Sequence, residues 1–108
     1  MATIEATFVQ GDTAPAITAQ IHDAENVTIP LNLTGSTVKF QMRKPDDRKY
    51  TVDSLATVTN ASQGLVSYQW AANDLAVPGE YDVQWEVTYS DLRVQTTYAP
   101  NRILIRRQ

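Results

Sequence analysis

Apolar residues recur at every second position in several segments of the chain. In the longest such segment, Tyr81 to Tyr89, large apolar side chains alternate with polar ones. Shorter versions of the same alternation occupy 17–21, 38–42 and 66–70. Strict alternation is typical of strands with one buried face, and no segment of convincing length has the spacing of an amphipathic helix. The pattern therefore predicts an all-β chain in which 81–89 is a central strand.

The residues after this segment continue the alternation and predict a hairpin. Ser90 and Asp91 would form a short loop of about two residues, which sets the register of the next strand. In that register three pairs lie opposite one another on one face: Tyr89 and Leu92, Val87 and Val94, Trp85 and Thr96. Because Ser-Asp lacks the glycine that such short loops favour, a loop longer by about one or two residues is the alternative.

Glycine and proline residues divide the chain into short segments. They include Gly11, Pro30, Gly35, Pro45, Gly64, Pro78 and Pro100. The segments between them give about seven strands spaced roughly 8 to 15 residues apart, which is typical of a β-sandwich. We predict a single domain over 1–108, since its length suits one core. Residues 1–15 are a candidate N-terminal arm that would add to a neighbour's sheet edge, because Ala14-Pro15-Ala16 follows a stretch without strict alternation.

The composition excludes several kinds of chemistry. The chain has no cysteine, so thiol catalysis and cysteine-ligated zinc are excluded. Its formal net charge of −3 argues against nucleic acid as the main partner, because phosphate binding needs a clustered positive surface. No apolar run approaches the ~20 residues that span a bilayer, and the first residues lack the pattern of a secretory signal. These features predict a protein made in the cytoplasm that does not bind membranes.

Four stretches of the sequence, taken in order, resemble one known family. They are Phe8–Pro15 (FVQGDTAP), Leu33–Arg43 (LTGSTVKFQMR), Gly64–Trp70 (GLVSYQW) and Leu75–Tyr81 (LAVPGEY). Together they resemble the immunoglobulin-like domain at the N-terminus of phage baseplate upper proteins, and the resemblance extends from Phe8 to Ile105.

The resemblance implies an immunoglobulin-like β-sandwich of about seven antiparallel strands. It also implies a non-enzymatic structural protein of a phage virion, located in the tail or baseplate, or used in capsid decoration or fibre attachment. The partners would be other virion proteins, contacted by multiple symmetric copies of the chain. The family motifs consist of turn and core residues, so the resemblance supplies no catalytic residue, no metal ligand and no cofactor site.

Some polar residues are nevertheless candidates for chemistry. His22 is the only histidine and precedes Asp23. A catalytic triad would also need a positioned nucleophile, so we interpret His22 as a surface residue. Asp46 and Asp47 are neighbouring carboxylates, but a calcium loop needs several oxygens at regular spacing, and basic residues surround this pair. We interpret them as part of a solvated hairpin tip.

The two tryptophans suggest one rival function. Trp70 and Trp85 would form a sugar-stacking platform in a carbohydrate-binding adhesion module, which predicts that at least one of them is exposed beside polar groups. Their register with aliphatic residues favours core packing, so the hypothesis of a structural protein predicts that both are buried.

Arg102, Arg106 and Arg107 flank the last strand, and we interpret them as a solvated edge or a protein contact rather than a nucleic-acid contact.

Overall fold

A computed structural model describes residues 4–22, 28–97 and 102–108 of the chain. Within these ranges the regular structure is nearly all β, and the prediction of an all-β chain is confirmed. The strands are β1 (Ile4–Val9), β2 (Ile17–Gln20), β3 (Thr37–Arg43), β4 (Val52–Leu55), β5 (Thr57–Asn60), β6 (Leu65–Tyr68), β7 (Gly79–Thr88), β8 (Val94–Thr97) and β9 (Arg102–Arg106). One 3-10 turn, Ala61–Gln63, precedes β6. Among the described residues, no helix is long and apolar enough to cross a membrane.

The strands form two sheets. The first sheet has the order β1-β9-β7-β3-β4, and β8 pairs with β7 beyond the end of β9. The second sheet has the order β2-β6-β5. All pairs are antiparallel except β1 and β9, which are parallel.

The prediction of about seven antiparallel strands is wrong in two respects. The described residues contain nine strands, two of which, β4 and β5, come from one segment between predicted breaks. Residues 52–60 change sheets at Ala56, and β8 and β9 pair with different halves of β7. β1 joins the edge of the sheet beside the last strand, β9, and runs parallel to it. Alternation within a single segment cannot reveal the direction in which two strands pair.

The core lies between the two sheets and is rich in aromatic rings. Phe40 on β3 stacks on Tyr68 of β6, with ring centroids 4.8 Å apart, so this contact joins one sheet to the other. Phe40 also packs against Trp85 on β7 at 4.9 Å. Both Phe40 and Trp85 are 0% exposed, and each such buried side chain contributes roughly 1.5–3 kcal/mol of hydrophobic stabilisation.

Two local features hold the chain where it enters and leaves the strands. Gly64 has φ +68°, and a Cβ at this position would lie 2.4 Å from the carbonyl oxygen of Ile21. Glycine is therefore required there by both conformation and space. Tyr81, which is 1% exposed at the start of β7, donates a hydrogen bond from its hydroxyl to the carbonyl of Val77 at 2.7 Å. This bond ties the turn before β7 to the strand itself.

In the hairpin between β7 and β8, the strand pairing is shifted by one residue from the pairing that a two-residue loop predicts. The Tyr89 N–H donates to the Arg93 carbonyl at 2.8 Å, so the loop contains three residues. Leu92, with φ +72°, closes that loop in the left-handed region. Val94 consequently lies opposite Thr88, and a shift of one residue turns every side chain of β8 to the other face. Leu92 and Val94 are exposed as a result, by 80% and 56%.

Candidate functional site

The candidates for catalysis or metal binding that the structure describes are His22, Asp46 and Asp47, while Asp23 lies outside the described residues. His22 is half-buried beside Pro30, and its backbone carbonyl accepts a hydrogen bond from the Gln95 amide at 3.4 Å. Asp46 and Asp47 are exposed in the loop between β3 and β4, where the Asp47 carboxylate accepts a hydrogen bond from the Lys49 N–H. The described residues contain no group of three or more histidine or acidic side chains that could hold a metal ion.

A groove of about 590 Å³ runs beside that loop. Its walls are Lys44 to Asp47 on one side and Pro78 to Glu80 on the other. Binding pockets for small molecules are lined mainly by apolar and aromatic side chains. This groove has solvated charges and two prolines instead, so it lacks the character of such a pocket.

Both tryptophans are buried. Trp70 is 2% exposed and Trp85 is 0% exposed, as the hypothesis of a structural protein predicts. Trp70 packs edge-on against the rings of Phe8, Phe40 and Tyr68, with centroids 5.1 to 5.6 Å away. Its Nε1 is a buried polar atom without a hydrogen-bond partner among the described residues. Neither tryptophan therefore exposes a ring face on which a sugar could stack.

Tyr68 carries the strongest electrostatic perturbation in this cluster. Its hydroxyl donates to the Asp74 carboxylate at 2.6 Å, and the same carboxylate oxygen accepts the Ala71 N–H at 2.8 Å. Burial, together with the hydrogen bond to Asp74 and its negative charge, raises the pKa of Tyr68 to about 12. The tyrosine therefore stays neutral as a donor and holds the connection after β6 against the core.

The arginines of β9 and the C-terminus have different surroundings. Arg102 makes an ion pair with Asp82 of β7, with Nε 2.9 Å from Oδ1. Arg106 and Arg107 are exposed. The N-terminal segment proposed as an arm begins outside the described residues, but its part from Ile4 to Val9 forms β1 on β9 of the same chain.

The outer face of the first sheet is the most organised part of the surface. We use "outer face" for the side of β3, β4, β7 and β8 that points away from the core. At its centre Gln84 donates hydrogen bonds to Gln41 and, at 3.1 Å, to the Tyr50 hydroxyl. Gln41 in turn donates to the Asp53 carboxylate at 3.2 Å and is only 4% exposed. Three neighbouring strands therefore present one connected polar network.

Charges on the outer face follow the strands. The β7 positions are acidic, with Asp82 and Glu86, while the paired β3 positions are basic, with Arg43 and Lys39. The register sets Lys39 opposite Glu86 and Arg43 opposite Asp82. Beyond β3, Asp53 of β4 lies 3.5 Å from the Lys39 ammonium group. The sign of the charge thus alternates from β7 to β3 to β4.

Apolar side chains stand at the two margins of this face. Leu55 on β4 is 69% exposed and Val94 on β8 is 56% exposed. Both point outward, since Leu55 pairs with Lys39 and Val94 pairs with Thr88. Sequence reasoning missed this surface. The only signal of this surface in the sequence is the set of polar residues in the alternating segments 38–42 and 81–89. These residues form one surface only after the two strands have paired in register.

The arrangement defines a class of protein: an all-β scaffold whose polar groups are organised over a sheet face rather than around a pocket. A family model for the BppU N-terminal domain matches residues 2–98. The chain therefore belongs to this family of phage baseplate upper proteins, and the family implies a structural role in the phage virion beside other virion proteins. Searches of curated proteins and of solved structures found no match to the chain.

Proposed function

We propose that the protein is a non-enzymatic component of the virion that acts through protein–protein contacts. The observation that carries this proposal is the distribution of its polar groups. Among the described residues, no group of histidine and acidic side chains could hold a metal ion, whereas the polar side chains of the first sheet form an ordered surface. Such a surface suits shape and charge matching with a neighbouring protein.

We further propose that the fold is an immunoglobulin-like sandwich. In such folds strands B, E and D share one sheet and strands C, F and G share the other. The orders β2-β6-β5 and β9-β7-β3 support this assignment, with β2 as B and β7 as F. The hydrogen bond from Tyr81 to Val77 gives independent support, because a tyrosine near the start of strand F bonds back to the preceding turn in many of these domains.

We propose the tail and baseplate region as the location in the particle, on the basis of family membership. Capsid decoration and fibre attachment are the alternative locations. In each case the chain would be present in multiple symmetric copies and would contact protein rather than nucleic acid or membrane. The alternating charges of the outer face support a protein neighbour, because a nucleic acid requires a continuous positive surface.

The rival function, a carbohydrate-binding adhesion module, is disfavoured by the buried tryptophans. A glycan array probed with the purified chain separates the two functions. Specific glycan binding that is lost in a tryptophan variant of unchanged fold would support the adhesion module. We expect no binding above that of an unrelated β-sandwich protein.

Quantitative mass spectrometry of gradient-purified particles tests the structural proposal. We expect the chain to be present at a fixed ratio to the other tail proteins, and to remain after a high-salt wash that removes adsorbed host protein. An abundant host cytoplasmic protein of similar mass serves as the control for contamination. Depletion of the chain in parallel with that control, while it accumulates in the soluble lysate, would contradict a virion role.

A further inference from the structure

The outer face of the first sheet has a pattern of charges that is complementary to itself. Each basic residue of β3 lies at the same height along the strands as an acidic residue of β7: Lys39 with Glu86, and Arg43 with Asp82. The two glutamines at the centre, Gln41 and Gln84, also share one height. Consider a twofold axis that lies just above this face and runs along the strands, midway between β3 and β7. Rotation about it keeps heights unchanged and sets β3 of one copy over β7 of the other.

Under that rotation the charges of β3 meet the opposite charges of β7 on the second copy. Lys39 faces Glu86 of the other copy, Glu86 faces Lys39, and Gln41 faces Gln84. Like charges facing each other across an interface would be unfavourable by several kcal/mol, so a face of uniform sign could not pack in this way. We therefore propose that the outer face of the first sheet is a homodimer interface, and that its partner is a second copy of this chain.

The exposed apolar residues fit the same arrangement. The rotation sets β4 over β8 of the other copy, since these strands lie at equal distances on either side of the axis. Leu55 shares a height with Lys39, Glu86 and Thr96, so it would lie against Thr96 of the other copy. Val94 is two residues along β8 from that contact. The two most exposed apolar groups of the face, at 69% and 56%, thus come together at each margin of the dimer.

The size of the face sets the expected affinity. The face consists of the seven paired residues of β3 and of β7 and the four residues of β4 and of β8. At about 4.8 Å by 3.3 Å per residue, they give a footprint of roughly 350 Å² per copy. The total of roughly 700 Å² lies below the area that a standard stable interface buries. We therefore expect a weak, reversible dimer that depends on protein concentration and weakens as salt screens the charge pairs.

Sedimentation of the purified full chain, up to roughly 1 mM, tests for the dimer because interfaces of this size are weak. Two charge reversals then identify the surface. In the proposed dimer, position 39 of each copy faces position 86 of the other. Lys39→Glu alone therefore sets two negative charges against each other at two places, and Glu86→Lys alone does the same with positive charges. We expect each to weaken self-association by about tenfold or more.

An equimolar mixture of the two variants is the decisive sample. In the mixed dimer the glutamate introduced at position 39 of one copy meets the lysine introduced at position 86 of the other. The unchanged Glu86 of the first copy meets the unchanged Lys39 of the second, so association should return at least to the wild-type level. Restoration in the mixture cannot come from pairs within one chain, because each chain still carries only its own substitution. A mixture that stays as weak as its components would overturn the assignment of this face.

Two leucine variants provide the matched control. Leu55→Lys should weaken the dimer, whereas Leu65→Lys, on β6 and 37% exposed, should leave it unchanged. Circular dichroism on all variants checks that the fold is retained. A wild-type chain that remains monomeric at the highest concentration, or a dimer sensitive to Leu65→Lys and not to Leu55→Lys, would refute the proposal. These solution outcomes are independent of whether the chain is found in particles, so they do not decide the proposed virion role.

Discussion

Tyr81→Phe removes one buried hydroxyl from the start of β7 and leaves the ring in place. The ring keeps its packing, since Tyr81 is 1% exposed and phenylalanine differs only by the oxygen atom. The lost interaction is the 2.7 Å hydrogen bond to the Val77 carbonyl. A neutral hydrogen bond contributes about 0.5–1.5 kcal/mol, and the carbonyl left without its donor adds to the loss unless water reaches it. The hydrogen bond is part-buried and Val77 is 50% exposed, so we expect a total loss of about 1 kcal/mol, near the middle of that range.

In a chain of this size, a loss of about 1 kcal/mol lowers the melting temperature by about 4–8 °C. Urea denaturation followed by tryptophan fluorescence is a suitable assay, because both indoles are buried in the native state. Tyr50→Phe, at a 38% exposed position of the outer face, is the matched control and should change the free energy of unfolding by less than about 0.5 kcal/mol. Equal and negligible effects of the two substitutions would refute the idea that the Tyr81 hydroxyl ties the turn to the strand.

Three further predictions concern single residues. The pKa of Tyr68 is raised to about 12, so its contribution to stability is complete below about pH 10 and is lost as the pH rises toward 12; Tyr68→Phe should flatten that part of an alkaline unfolding curve. Gly64→Ala should cost about 2 kcal/mol or more, because its Cβ would collide with backbone at 2.4 Å, whereas Gly11→Ala, where a Cβ meets only open space, should cost about 1 kcal/mol; urea midpoints with equal shifts would contradict this. Leu92→Asn should raise the melting temperature, because asparagine tolerates φ +72° better than leucine by about 1 kcal/mol and the leucine is 80% exposed; a lowered melting temperature would show that Leu92 makes an intramolecular contact.

The main strands and the core could be predicted from the sequence. The alternation over 81–89 identifies β7 and its buried residues, and 38–42 does the same for β3, because each strand has one face in the core. The burial of Trp70 and Trp85 followed from the same argument. Strands β4 and β5 gave weaker signals: β4 has one buried residue, Val52, and β5 has none, so periodicity could not show where the chain changes sheets.

Register and surface could not be predicted in the same way. The loop before β8 is closed by Leu92 in a left-handed conformation, which leucine adopts rarely, and nothing in the residue type indicates it. Because this loop shifts the pairing by one residue from the predicted one, Val94 points outward. Separately, the pairing of β3 with β7 places Lys39 beside Glu86. The interaction surface is therefore a product of strand pairing between distant segments, while the individual strands are encoded locally.

Cryo-electron microscopy of particles from the phage that encodes this chain is the most direct test of the structural role. We predict density for a 12.0 kDa β-domain at symmetric positions in the tail and baseplate region, in contact with neighbouring virion proteins. A particle reconstruction at side-chain resolution that accounts for all of its density without this chain would contradict the proposed role in the virion.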